Sequence, residues 1–193
     1  MTGVDERQIV RHVLEGRTAE FGLLVDRYGH MAFAVAARIV GTQQDAEELT
    51  QDVFLTAYRR LGSYDDRFPF ATWLCRIAHN AAVSFMRRTK RDRCVAHVSE
   101  EELAAVTDDM ATASLSGDSD TRRDLLRRAV AMLSADDRSL VTMFYYEGCS
   151  LREMAYILDM PDDERSSRTL ATRICRIRKR LYVIIRKLEN SDL

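Results

Sequence analysis

The sequence predicts an all-α protein built as two small helical domains joined by an acidic linker, the second domain carrying a helix-turn-helix. Three observations lead there. Two Pro and eight Gly in 193 residues leave little for the turns of a β-rich chain. Long stretches instead repeat apolar residues at the helical spacing of three and four. The net charge of −1 is also sharply partitioned: residues 1–94 carry 14 basic and 12 acidic side chains, 95–121 none and seven, and 122–193 15 and 11. The acidic stretch is rich in Ala, Ser, Thr and Asp and has no aromatic residue, so it reads as linker with at most a marginal helical turn over 100–106. The expected division is a first domain over 1–93, a linker over 94–121 and a second domain over 122–193. Each domain is of a size that buries only ~60% of its unfolded surface.

In the first domain, residues 5–16 read as a short helix with Ile9, Val13 and Leu14 inward. Phe21, Leu24, Val25, Tyr28, Ala32, Val35, Ala36 and Ile39 then form one face of a long helix that Gly41 ends. The next helix, DAEELTQDVFLTAYRRL over 45–61, turns Ala46, Leu49, Val53, Phe54, Ala57 and Leu61 inward. Asp45, Glu48 and Asp52 fall on one outer stripe with Gln51 beside it. Acids in a first helical turn suit the macrodipole, but Asp52 is two turns in, and an acidic stripe there suits a basic partner. Pro69 opens the last helix of the domain, on which Phe70, Trp73, Leu74, Ile77, Ala81 and Phe85 recur as the buried stripe. Thr72, Arg76, Asn80, Val83 and Arg87 lie on the other side, where amide and guanidinium donors can reach base edges and phosphates. Tyr64 and Phe68, at the entry to this helix, are placed to stack on unpaired bases. Five basic residues follow between Arg87 and Arg93.

The second domain opens with a helix carrying Leu125, Leu126, Ala129, Val130 and Leu133. Ser134, with Asp137 three residues on, starts another that carries Leu140, Val141, Phe144 and Tyr145 and closes at Gly148. Ser150 and Glu153 form an S-x-x-E capping box for a short helix with Met154, Ala155 and Leu158 inward, stopped by Pro161. The last helix is expected from about Thr169, with Ser166 or Ser167 as its cap and Leu170, Ile174, Ile177, Leu181, Ile184 and Leu188 on one face. From Arg168 to Lys187 it holds eight basic residues and no acid. A capped short helix, a break and a basic amphipathic helix make a helix-turn-helix pattern that offers its last helix to the major groove.

Other classes find little support. No apolar run approaches the ~20 residues that span a bilayer, and the N-terminus lacks a signal-peptide core, so the expected location is cytoplasmic without membrane insertion. Cys75, Cys94, Cys149 and Cys175 are widely spaced and read as reduced thiols, not a disulfide frame or zinc site. His12, His30, His79 and His97 fall on no metal-ligand spacing, and no Gly-rich phosphate loop is present. The sequence therefore predicts neither an enzyme nor a cofactor.

These pieces resemble, in order, the extracytoplasmic-function sigma factors. DAEELTQDVFLTAYRRL resembles the segment by which that family holds the RNA polymerase clamp. FATWLCRIAHNAAVSFMRR resembles its promoter minus-ten reading helix, and LSADDRSLVTMFYYEGCSLREMAYILDMP the start of its minus-thirty-five domain. One departure stands out: the family runs from a proline through a short P-x-G-T turn, whereas here Pro161 is followed by DDERSSRT. The matching helix is then reached through a turn with about five extra residues and no glycine.

The resemblance implies a sigma factor that binds core RNA polymerase and promoter DNA, with an anti-sigma factor as a further partner. By position it places Asp45, Glu48, Gln51 and Asp52 on the polymerase clamp. Tyr64, Arg67 and Phe68 would line a pocket for a flipped minus-ten base, Arg76 and Asn80 would approach bases, and Arg87, Arg88 and Arg91 would hold phosphates. Arg168, Thr169, Thr172, Arg173, Arg176 and Lys179 would face the minus-thirty-five element. The carboxylates of Asp162, Asp163 and Glu164 would obstruct that contact from a mobile loop. Two other readings stay open: a sigma mimic that only sequesters an anti-sigma factor, and a DNA-binding regulator that works without polymerase.

Overall fold

A computed structural model describes residues 5–95 and 117–191, with the backbone alone at 90–95, 117–121 and 190–191. Every regular element among them is helical. Helix α1, Glu6–Leu14, starts where the Asp5 carboxylate accepts from the Arg7 N–H, and buries Ile9, Val10 and Val13. Leu14, expected inward, is exposed because it lies on the outer side of the last turn. Helix α2, Phe21–Val40, ends at Gly41, whose φ of 91° and N–H bond to the Ala37 carbonyl make a left-handed cap. Helix α3, Gln43–Arg59, begins two residues before the expected Asp45, because the Thr42 hydroxyl accepts from the Asp45 N–H and caps it.

Helix α4, Phe70–Val95, follows Pro69, whose carbonyl accepts from Trp73. Phe70, Trp73 and Leu74 are buried as expected. The rest of the stripe is set about one position round from expectation: Cys75, Ala78 and Ala82 are buried while Ile77, Ala81 and Phe85 are only partly so. The alanines let α4 lie close against α2 and α3, and Tyr28, Tyr64, Phe70 and Trp73 close the end of this bundle, Tyr64 edge to face on Phe70 and Trp73 and the other pairs tilted, at centroid separations of 5.4 to 5.6 Å.

In the second domain α5, Gly117–Ala131, and α6, Ala135–Val141, are joined through the Ser134 cap, and α6 runs into a π turn over Thr142–Tyr146. That turn rotates the face inward of expectation: Thr142 and Met143 are buried, while Tyr145 is exposed. Helix α7, Leu151–Ile157, has the Ser150–Glu153 capping box with both reciprocal bonds. It buries Met154, Ala155 and Ile157, leaving Leu158 at the margin. Leu126 is likewise exposed on α5.

The residues after Pro161 differ most from expectation. They form no loop of any length: Asp163 caps the last helix, its carboxylate accepting from the Ser166 N–H at 2.7 Å, and α8 runs over Glu164–Ser191. The extra residues become its first turn, and Asp162 is held away by Arg152 at 2.8 Å. Asp159 makes the turn possible without glycine by taking a φ of 56°, which a short polar side chain tolerates. The Met160 N–H then reaches back to the Ala155 carbonyl, a Schellman closure of α7. Helix α8 packs on α5, α6 and α7 through Leu170, Ile174 and Ile177. Helices α4 and α5 also enter the stretch read as linker from either side; the turn considered over 100–106 lies outside the described residues.

Candidate functional surfaces

Helices α2 and α4 of the first domain pack directly on α6 and α7 of the second. The contact is polar at its rim and half-buried within. At one end the Arg38 guanidinium pairs with Glu147 at 3.2 Å and lies 4.3 Å over the Tyr146 ring. Burial raises the Glu147 carboxyl above its ordinary range, against the opposing pull of Arg38. In the middle the Thr72 hydroxyl donates to Glu153 at 2.8 Å. Burial works to raise the Glu153 carboxyl too, yet hydrogen bonds from Ser150 and Thr72 outweigh it and the group titrates low. At the far side Arg76 pairs with Asp159 and stands 5.0 Å over the Tyr156 ring, on which Phe68 stacks at 4.2 Å. His79 meets Ser139 in the buried centre; desolvation pushes its imidazole down to about 4, with Asp136 and Arg87 as opposed, weaker influences. Arg87 reaches Asp136 at 3.3 Å.

The residues expected to read a minus-ten element therefore divide. Phe68 and Arg76 are engaged by the second domain, as is Thr72; Thr72 and Val83 are buried where an open donor face was expected. Tyr64 is turned into the aromatic cluster, its hydroxyl donating to the Phe68 carbonyl at 2.9 Å, and Arg67 is clamped to Asp65. Asn80, Arg87 and Arg88 are exposed. Arg91 is described in its backbone only, so its side chain lies outside the described residues.

On α3, Glu48, Gln51 and Asp52 are exposed along one stripe, whereas Asp45 is half-buried and bonded to the Thr42 hydroxyl at 2.6 Å. Leu55, 54% exposed, continues the same stripe one turn on. Sequence reasoning passed it over, although an apolar residue three beyond Asp52 on the polar face was a legible signal. On α8, Arg168, Thr169, Thr172, Arg173, Arg176 and Lys179 are all exposed. The two threonine hydroxyls bond back to the Arg165 and Arg168 carbonyls, and Asp137 holds Arg173 at 2.9 Å, so these side chains are already oriented. Among the described residues no group of His, Cys, Asp and Glu could hold a metal ion, and no helix is long and apolar enough to cross a membrane.

Comparison with known proteins fits this layout. Residues 24–92 match Sigma-70 region 2 and residues 123–181 match Sigma-70, region 4. The chain is 30% identical over 173 residues to the ECF RNA polymerase sigma-E factor of Escherichia coli, covering 87% of this chain and 90% of that one. It is 29% identical over 184 residues to the ECF RNA polymerase sigma factor SigW of Bacillus subtilis, covering 93% and 96%. Among solved structures, CnrH in complex with the cytosolic domain of CnrY superposes with a TM-score of 0.62 at 25% identity, covering 94% of this chain and 97% of that one. The sigma factor RpoE in complex with the anti-sigma factor NepR from Bartonella quintana gives 0.61 at 22% identity over 86% and 97%, a likeness of fold. An acidic row on one helix, an aromatic and basic helix beside it, and a capped helix-turn-helix in the same chain thus find their counterpart: the chain belongs to the extracytoplasmic-function sigma factors, the subunits that direct core RNA polymerase to promoters.

Proposed function

We propose that the chain divides this work among three surfaces, with residues 1–93 serving core and minus-ten binding, 94–121 as linker and 122–193 serving the minus-thirty-five element. The observation that carries the reading is that one domain presents an exposed acidic row on α3 and the exposed guanidinium groups of Arg87 and Arg88 on α4, opposite in sign. Glu48, Gln51, Asp52 and Leu55 grip a basic, partly apolar surface of the polymerase clamp, and Asp45 orients the helix start that carries them. Reversing Asp52 to Lys is expected to abolish most of the core pulled down by the purified chain while far-UV helicity stays unchanged. Undiminished core capture would remove α3 from the interface.

On α4, Asn80 and Arg76 read base edges, Arg87, Arg88 and Arg91 hold phosphates, and Tyr64, Arg67 and Phe68 form the pocket for an unpaired base. Stacking of that kind is worth ~1–3 kcal/mol per base, enough to help hold a short melted bubble. In run-off transcription with core polymerase, Asn80→Ala is expected to change preference at one promoter position. Arg88→Ala is expected to weaken all promoters alike and to flatten the salt dependence of binding. A uniform effect of Asn80→Ala across promoter variants would refute its base-reading role.

Arg168, Thr169, Thr172, Arg173, Arg176 and Lys179 on α8 enter the major groove of the minus-thirty-five element. The chain acts in the cytoplasm, and an anti-sigma factor is its regulator; the complex of CnrH with the cytosolic domain of CnrY supports a protein partner for a sigma factor of this shape. A sigma mimic would share that partner but leave Asn80, Arg88 and the basic face of α8 without a task. Promoter-dependent run-off transcripts separate the two readings, and their absence with every promoter tried would favour the mimic.

A further inference from the structure

Thr72, Cys75, Arg76 and His79 lie at helical spacing along one stripe of α4, and each meets the second domain. At the middle of that stripe Cys75 and Cys149, the residue just before the Ser150 cap of α7, lie close enough for each to shift the other's ionisation. Both thiols are free and enclosed, Cys75 at 2% exposure and Cys149 at 9%. They come from different domains and lie 74 residues apart in sequence, so only docking brings them together. The promoter and polymerase surfaces use neither. We propose that Cys75 and Cys149 are a redox pair, which a hydroperoxide converts to a disulfide that holds the two domains together and withholds the α4 face from promoter DNA. This rests on the reading of α4 as the minus-ten helix.

The chemistry is a two-electron oxidation of the two thiols. The Cys149 thiolate attacks one oxygen of hydrogen peroxide, the O–O bond breaks, and hydroxide leaves to take up a proton as water. The resulting Cys149 sulfenic acid is attacked by the Cys75 sulfur, forming the S–S bond, while the Cys75 proton leaves with the sulfenic oxygen as a second water. The roles follow from the environment. The nearby Cys149 thiol, then burial, pushes the Cys75 thiol up, so it stays protonated; Cys75 in turn brings Cys149 down, with burial, Glu153 and Glu147 opposing. Cys149 is also the less enclosed of the two. A disulfide needs the sulfurs at ~2 Å, closer than two unbonded thiols, so its formation tightens the docked contact.

The test treats the full chain with hydrogen peroxide, blocks remaining thiols, digests with trypsin and weighs the peptides. The expected product joins FPFATWLCR to SLVTMFYYEGCSLR, with Cys175 still blocked as a thiol. Promoter complex formation with core polymerase is expected to fall at least about tenfold on oxidation and to return with dithiothreitol. Cys149→Ala and, independently, Cys75→Ala are expected to remove that loss while transcribing normally when reduced; two variants guard against one that folds poorly. Absence of the joined peptide overturns the proposal whatever the chain does on promoters. A joined peptide with unaltered promoter binding would instead overturn the assignment of the α4 face.

Discussion

Replacing Trp73 with Ala is expected to cost about 3–5 kcal/mol, the range for truncating a large buried aromatic. Trp73 is 4% exposed and touches Tyr64 and Phe70, so its loss opens a cavity where the loop before α4 joins the bundle. Small domains are marginal, and a loss of this size is a large share of a total of ~5–15 kcal/mol. Urea unfolding followed by circular dichroism measures it. Trp73→Phe, which keeps a ring against Tyr64, is expected to recover much of the difference. If Trp73→Ala instead cost less than ~1 kcal/mol and altered promoter preference, Trp73 would belong to the reading surface and not to the core.

Lowering the pH from 7.5 to 5 is expected to weaken docking of the two domains by about 2 kcal/mol, close to a 30-fold shift toward the separated form. The cause is His79. Its imidazole sits near its ordinary 6.5 when α4 is uncovered, but burial against Ser139 holds it down to about 4 when docked. The docked form thus binds this proton less readily. Its contribution is complete above 6.5 and is lost as pH falls through the window toward 4. Glu147 works the other way, because burial raises its carboxyl and acid then favours the docked state, with Arg38 limiting the effect. Energy transfer between dyes on α3 and α8 reads the separation, and His79→Asn isolates the imidazole. A wild-type curve identical to that of His79→Asn would show that His79 does not govern the transition.

The course of the chain was legible where one residue type had one reason to be present. Gly41 and the Ser150–Glu153 box each satisfy a helix end with local chemistry, and both stand as the sequence placed them. The start of α8 was hidden because Asp162, Asp163 and Glu164 read equally well as loop charges and as the cap and first turn of a helix. The inner face of α4 was misjudged by about one position because Ala78 and Ala82 carry little hydrophobic signal, yet permit the closest approach. Most of what the sequence could not give lies between the domains. Thr72 and Cys75 look like an outer face to any periodicity argument, because the surface that covers them is supplied from more than 50 residues away. For the same reason Arg76 and Phe68 could be singled out as candidates, but their engagement by Asp159 and Tyr156 was not legible.

Asp159 has a further consequence. Its left-handed backbone ends α7, and its carboxylate neutralises an arginine of α4. It thereby occupies Arg76 as a nucleic-acid acceptor would, on a tether that never diffuses away. A tethered ligand meets its site at an effective concentration set by the connecting chain, in the millimolar range for short flexible connections. Stray DNA must outcompete that local supply of negative charge before it can lodge on α4. A polymerase that draws the two domains apart on binding would remove that competitor with them. The chain would then be nearly blind to DNA while alone and become a reader only on the enzyme, a selectivity that comes from geometry and needs no additional contact to any base.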